Sequence, residues 1–296
     1  MKRIRRILFV GLCLLTSLTG VMAQEILLGT TSGVTGDLYQ IDPNTGVGTL
    51  IGPLIDNGFN PYAVTGLAFD SVNGVLYGST SNNSGAGGSS SKELVAINPT
   101  TGTVTVVGSF TTTGTMADLT FDTTTATLYG TGSLDGNLYV INTTTGAAMA
   151  VGSAALGNST AGNGVAANSA GQIFGSPLGA SGSLVQFNKS NGSAATVATL
   201  SGAPVSTGAI NAMAFNSGGT LYGVNVDNNV GARPTDLVTI NTGTGVVTNI
   251  GASVAGLDAI VFFNPTAVPE PATLSLLGLG AVGSFGLNVL RRRRRN

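Results

Sequence analysis

The chain has 296 residues, 45 of them glycine and 10 proline, and only 8% are charged, about a third of the share in an average soluble domain. It has no His or Trp, and its one cysteine is Cys13, so a His-based triad, a Cys nucleophile, a disulfide and a Cys/His zinc site are excluded from the body of the chain. Nine of the 12 basic residues sit at the two ends, and residues 24–290 hold three basic residues (Lys92, Lys189, Arg233) against 12 Asp/Glu plus Glu270, a net charge of −10; such a body cannot neutralise phosphates, which argues against any nucleic-acid partner.

Residues 1–23 have the three parts of a secretory signal peptide: a basic start (Lys2, Arg3, Arg5, Arg6), an apolar run from Ile7 to Leu18, and Val21-Met22-Ala23 before Gln24. Small residues at the first and third of those last positions suit signal peptidase, so cleavage is expected between Ala23 and Gln24. Cys13 lies in the middle of the apolar run behind the large Leu12, which does not suit a lipoprotein site.

From residue 24 to 267 one pattern recurs, the sign of a repeat architecture. One half of it reads Asp37-Leu-Tyr-Gln-Ile-Asp-Pro-Asn-Thr-Gly46, Glu93-Leu-Val-Ala-Ile-Asn-Pro-Thr-Thr-Gly102 and Asn137-Leu-Tyr-Val-Ile-Asn-Thr-Thr-Thr-Gly146, with further copies at Ser183–Gly192 and Asp236–Gly245. The other half reads Gly66-Leu-Ala-Phe-Asp70 with Leu76-Tyr-Gly78, and recurs at Asp118, Gly164 and Ala212. The steps from Leu76 to Leu128, Ile173 and Leu221 are 52, 45 and 48 residues, the length of a four-stranded propeller blade.

Each half reads as a β-hairpin of short β-branched or aromatic runs, in which Asp or Asn opens the turn and Gly closes it with positive φ. Asp42, Asn98, Asn142, Asn188 and Asn241 are therefore assigned to turns, and Tyr39, Tyr77, Tyr129, Tyr139 and Tyr222 to packing between blades. Before Gly52 the chain supplies only three strands; the missing innermost one is expected at Leu257–Phe262, closing a five-bladed β-propeller and removing its open sheet edges. The body resembles the propeller-like repeats of many secreted bacterial proteins, through its Leu-Tyr-x-Ile-Asp-Pro-x-Thr-Gly core, and that resemblance implies a fold without an activity.

The innermost strands should line a channel, and the aligned register puts Gly66, Asp118, Gly164, Ala212 and Asp258 at one position. Asp118 and Asp258 are therefore the candidate channel ligand site, since paired carboxylates could hold a cation or do acid/base work. The residues single out no metal centre and no cofactor. Asp135-Gly136-Asn137 and Asp227-Asn228-Asn229 resemble fragments of calcium loops but lack a ligand ladder, and read as tight turns. The Gly/Ser-rich stretch Ser79–Ser91 lacks the Lys-Ser/Thr end of a phosphate loop and reads as a flexible loop.

The last segment, 268–296, has Pro269-Glu270-Pro271, then 19 uncharged residues from Ala272 to Leu290, then Arg291, Arg292, Arg293, Arg294 and Arg295. Nineteen helical residues span about 28 Å, enough for a bilayer core, and the arginines would stay cytoplasmic as a stop-transfer cluster. This order resembles the PEP-CTERM sorting signal of Gram-negative bacteria that make exopolysaccharide. The resemblance implies recognition at Pro269, Glu270 and Pro271 by an exosortase-type membrane protease, transient inner-membrane anchoring through 272–290, and release to the outer surface.

The sequence thus points to a secreted, non-catalytic propeller of the cell surface or extracellular matrix, acting in surface structure or adhesion, with exopolysaccharide or other matrix proteins as partners. Two other readings stay open: a hydrolase or lyase acting on extracellular polysaccharide through the channel carboxylates, and a carrier of a small ligand in the channel.

Overall fold

The computed structural model describes residues 24–33, 35–81, 92–112, 114–152, 164–177, 182–227, 230–231 and 233–265. The leader up to Ala23, the Pro-Glu-Pro tripeptide, the apolar span 272–290 and the arginine cluster lie outside the described residues, as does most of Ser79–Ser91.

Most strands form where β-branched and aromatic residues run for four to seven positions between Gly- and Asn-rich turns. The first three are β1 (Ile26–Thr31), β2 (Asp37–Ile41) and β3 (Gly48–Pro53). Blade 2 is β4 (Val64–Asp70), β5 (Val75–Thr80), β6 (Glu93–Ile97) and β7 (Val104–Ser109). Blade 3 is β8 (Met116–Asp122), β9 (Thr127–Gly132), β10 (Leu138–Ile141) and the short β11 (Ala148–Ala150). Blade 4 is β12 (Gly164–Ala167), β13 (Ile173–Ser176), β14 (Ser183–Phe187) and β15 (Ala194–Thr199); blade 5 is β16 (Ala209–Phe215), β17 (Leu221–Val226), β18 (Thr235–Ile240) and β19 (Val247–Ala252).

The last strand, β20 (Leu257–Phe263), pairs antiparallel with β1, so blade 1 has the order β20-β1-β2-β3 and its innermost strand comes from the far end of the chain. This is the expected ring closure. The molecule is an all-β propeller of five four-stranded blades.

The core is not central but divided into five layers, one between each pair of neighbouring blades. Aromatic residues of one blade's second strand lie against the inner-strand Phe of the next: Phe174 meets Phe215 at 5.6 Å between ring centroids, and Tyr222 meets Phe262 at 5.0 Å. Tyr77 shares a buried cluster with Phe121 in the same way. Each such burial contributes on the order of 2 kcal/mol. The recurring tyrosines of the second strands thus serve packing, as their pattern implied.

The five turns between third and fourth strands repeat one arrangement. The Asp42 carboxylate accepts from Asn44 N at 2.8 Å, and the Asn98, Asn142, Asn188 and Asn241 side-chain oxygens accept from the residue two positions on at 2.8–2.9 Å. Each turn ends on a glycine with φ between 71° and 81°, where a side chain would be strained. These glycines also abut the preceding blade. A Cβ on Gly102 would lie 2.6 Å from the Pro53 carbonyl oxygen, and one on Gly52 would lie 2.5 Å from the Thr101 carbonyl oxygen. Gly108 and Gly251 repeat the Gly52 contact against Thr145 and Thr45. The Ile/Val-Gly that ends the repeat is therefore an inter-blade contact. In blade 4 Ala198 occupies that register position.

Candidate functional site in the central channel

Strands β4, β8, β12, β16 and β20 surround the axis. Their register is fixed by the glycine of each second strand: Leu67 faces Gly78, Leu119 faces Gly130, Val165 faces Gly175, Met213 faces Gly223 and Ile260 faces Gly29. The tier one residue earlier is Gly66, Asp118, Gly164, Ala212 and Ala259. This corrects the sequence alignment in blade 1, where Ala259 and not Asp258 shares the position of Asp118. The bulge does not displace blade 1, since blades 2, 3 and 5 carry the same one; Ala259-Ile-Val-Phe262 matches Ala212-Met-Ala-Phe215 without a gap. Asp258 stands instead in the bulge, at the position held by Thr65, Ala117 and Asn211 in other blades.

The two carboxylates consequently have different surroundings. At the Asp118 tier the other four residues are Gly or Ala, which leaves room at the axis for one larger side chain. Asp118 fills it and is fully buried. Its Oδ2 accepts from Val165 N at 2.9 Å and Met213 N at 3.1 Å, and its Oδ1 from Leu119 N at 2.9 Å. The Leu67 backbone N–H adds a fourth donor. One carboxylate thus joins the inner strands of blades 2, 3, 4 and 5. Burial pushes its carboxyl well above the usual carboxylate range, with the four N–H donors pulling the other way. Gly66 is required beside it, because a Cβ there would lie 2.6 Å from Asp118 Cα.

Asp258 lies nearer the start of the inner strands and is partly exposed. Its Oδ1 accepts from Asn211 Nδ2 at 2.6 Å and from Arg233 Nη2 at 3.2 Å, while Arg233 Nη1 donates to Ser32 Oγ at 2.7 Å. Neither Arg233 nor Asn211 was distinguished by sequence reasoning, because both lie on other strands or loops, far from Asp258 in the chain. No group of three or more Asp, Glu, Cys or His side chains gathers among the described residues.

On the other side of Asp118 the channel widens into a cavity of about 290 Å³. Its floor includes Leu67, Leu119 and Met213, and its walls Phe69, Phe121, Phe215 and Phe262. These phenylalanines share one tier, and blade 4 breaks it with Ala167. The mouth carries Ser71, Thr123, Ser169, Asn264 and Ser217, whose N and Oγ each donate to the Glu25 carboxylate at 3.0 Å. Among the described residues, no Lys or Arg lines the cavity. The repeated Phe-Asp/Asn of the inner strands was the available sequence signal for this ring.

Beside the mouth, Asp122 accepts from Lys189 Nζ at 2.7 Å and from the Thr124 and Thr125 hydroxyls. Burial alone would raise its pKa, but the ammonium and hydroxyls prevail and bring it to about 2. The Asp135-Gly136-Asn137 turn closes on itself: Asp135 accepts from Asn137 N at 3.0 Å and from Tyr139 OH at 2.6 Å. Burial and that carboxylate raise the Tyr139 phenol to about 12. In Asp227-Asn228-Asn229 only Asp227 is among the described residues.

Residues 267–295 match the PEP-CTERM protein-sorting motif. The chain carries a PEP-CTERM sorting signal. The motif marks an exported protein sorted to the cell envelope or surface, and it implies an exosortase-type processing partner. No helix among the described residues is long and apolar enough to cross a membrane, and 272–290 lies outside them. The body is similar to a chain of the crystal structure of a nidogen/laminin complex, with TM-score 0.51 and 13% identity over 81% of this chain and 98% of that one. At that identity the likeness shows the fold alone. A structural genomics protein of unknown function from Bacteroides thetaiotaomicron VPI-5482 gives TM-score 0.48 and 15% identity over 67% of this chain and 53% of that one. No curated protein sequence matches the chain.

Proposed function

We propose that this PEP-CTERM protein is a non-catalytic propeller of the outer surface or extracellular matrix of a Gram-negative bacterium, acting in surface structure or adhesion. Signal peptidase frees the chain at Ala23, the apolar span 272–290 holds it in the inner membrane with Arg291 to Arg295 inside, and an exosortase-type protease acts at Pro269-Glu270-Pro271. Exopolysaccharide or other matrix proteins are its contacts. The observation that carries the non-catalytic reading is the state of the channel carboxylates. Asp118 has both oxygens held by backbone N–H groups, and Asp258 is tied to Arg233 and Asn211. Neither is poised as an acid or base against a shared substrate atom.

Intact mass of the protein recovered from the extracellular fraction of its own host tests the sorting. A chain starting near Gln24 and ending near Pro269 is expected, and a surface form still carrying the arginines would overturn the processing. A strain lacking the protein is expected to lose attachment or matrix cohesion. Normal attachment in that strain, with release of reducing ends from host exopolysaccharide by the purified protein, would overturn the non-catalytic role in favour of a polysaccharide-active enzyme.

A further inference from the structure

The fourth strand of each blade lies at the perimeter of the disc. Its outer edge is bonded at its start in blades 2, 3 and 5, where Val104, Ala148 and Val247 N–H donate to the carbonyls of Ile55, Phe110 and Ser201. Among the described residues it is open beyond that point. Such edges offer free N–H and C=O groups, and soluble proteins commonly protect them with charged side chains, above all lysine. Here β3, β7, β11, β15 and β19 contain no charged residue at all. They read instead as Thr, Val, Ala and Gly, as in Val104-Thr-Val-Val-Gly-Ser109. What limits pairing is shape. A register shift interrupts β3, β7, β15 and β19, and β11 is only three residues long.

Exposed apolar side chains gather at the same place. Among the described residues, six of the ten large exposed apolar side chains, Val47, Leu50, Val106, Met149, Val197 and Val246, are on these strands or the turns leading into them, while Phe59, Val72, Leu134 and Val230 lie elsewhere. The charges lie elsewhere. Asp37, Glu93 and Asp236 stand at the starts of third strands on one face of the disc, where Asp258 also lies. Asp42, Asp70 and Asp122 stand at turns on the opposite face. Each face is therefore marked by acidic residues; the outer strands themselves carry none, although Asp56 follows Ile55, which bonds the outer edge of β7 at Val104.

We propose that the perimeter is a self-association surface, and that its partner is a second copy of this chain meeting it edge to edge. Two acidic faces repel each other, which disfavours stacking, while two uncharged edges meet without that cost. Antiparallel pairing of like edges is self-complementary, as a two-fold contact requires, and it sets Thr and β-branched residues opposite one another, a favourable cross-strand arrangement. A charged polymer gains no electrostatic attraction at this surface. Because each edge is short or bulged, one contact is weak, and five around one disc suit a lateral array where the protein is concentrated. This deepens the surface-structure reading by naming the partner.

Residues 24–265 contain all the described strands and close their own ring, so this body is the material for the test. Sedimentation velocity across a concentration series is expected to show reversible association of the wild-type body. A variant with Thr49→Lys, Thr105→Lys and Thr248→Lys, all exposed edge positions, is expected to associate at least about tenfold more weakly with an unchanged melting temperature. Added salt should leave the wild-type association nearly constant, since no charge pair forms it. A body that stays monomeric throughout, or whose association the lysines do not change, overturns the proposal. Association that grows with salt and survives the lysines would assign the contact to the acidic faces instead. None of these outcomes bears on processing or attachment, which the host experiments read separately.

Discussion

Asp118 and Asp258 occupy inner strands of the same ring and differ by one residue in register, and that one residue separates two kinds of acid. The first sits on the axis, without solvent, joining four blades through their backbone N–H groups. The second sits in a bulge beside a partly exposed guanidinium. A repeat protein can therefore carry a residue that belongs to no repeat, provided the neighbouring copies are small enough to admit it. The comparison implies that deleting the axial acid is felt by the whole ring and deleting the bulge acid is felt locally.

The sharpest way to break this contrast is Asp118→Ala, which strands several buried N–H donors at once. A loss on the order of 3 kcal/mol or more in urea unfolding is expected, and a loss below about 1 kcal/mol would show that the axis does not depend on it. Next comes Gly66→Ala, whose new Cβ meets the backbone of Asp118 and should cost about 2 kcal/mol by overpacking. Asp258→Asn keeps the shape and removes a partly exposed ion pair, so only about 0.5 kcal/mol is expected from the same measurement. An Asp258 effect as large as that of Asp118 would erase the distinction.

The pH dependence of unfolding sharpens it further. Asp118 has its folded-state pKa raised, so between the ordinary carboxylate value and that raised value the folded state keeps a proton the unfolded state has lost. Its contribution to stability therefore falls as pH rises through this window. Asp122 is lowered to about 2, so its contribution is present above the unfolded carboxylate value and is lost as pH falls through about 2. Lys189→Met should flatten the acid limb, and Asp118→Ala should remove the decline with rising pH. Denaturant midpoints across pH check both, and an unchanged slope in either variant would reject its assignment.

The blades were legible because their determinants are local and repeated. Asn98 with Gly102 forms its turn from neighbours in sequence, and four further copies of the same spelling make the reading redundant. Ring closure was legible by elimination, since three strands before Gly52 leave one missing and Leu257–Phe262 reads as a strand with no blade of its own. The channel was not legible at the same level. Arg233 reaches Ser32, 201 residues away in sequence, and Asp118 reaches Met213, 95 residues away. Nothing in the spelling of either segment marks the other.

The sequence by itself determined the number of blades, the turn chemistry, the acidic body and the sorting signal at 267–295, since each is written in contiguous or recurring residues. Only the tertiary structure decided the company each acid keeps, because strands of four blades converge on Asp118 at the axis while the bulge shared by blades 1, 2, 3 and 5 holds Asp258 beside Asn211 and Arg233. It also decided that the five uncharged outer strands share one perimeter. Each is unremarkable in the linear chain, and only closure of the ring makes them a common surface.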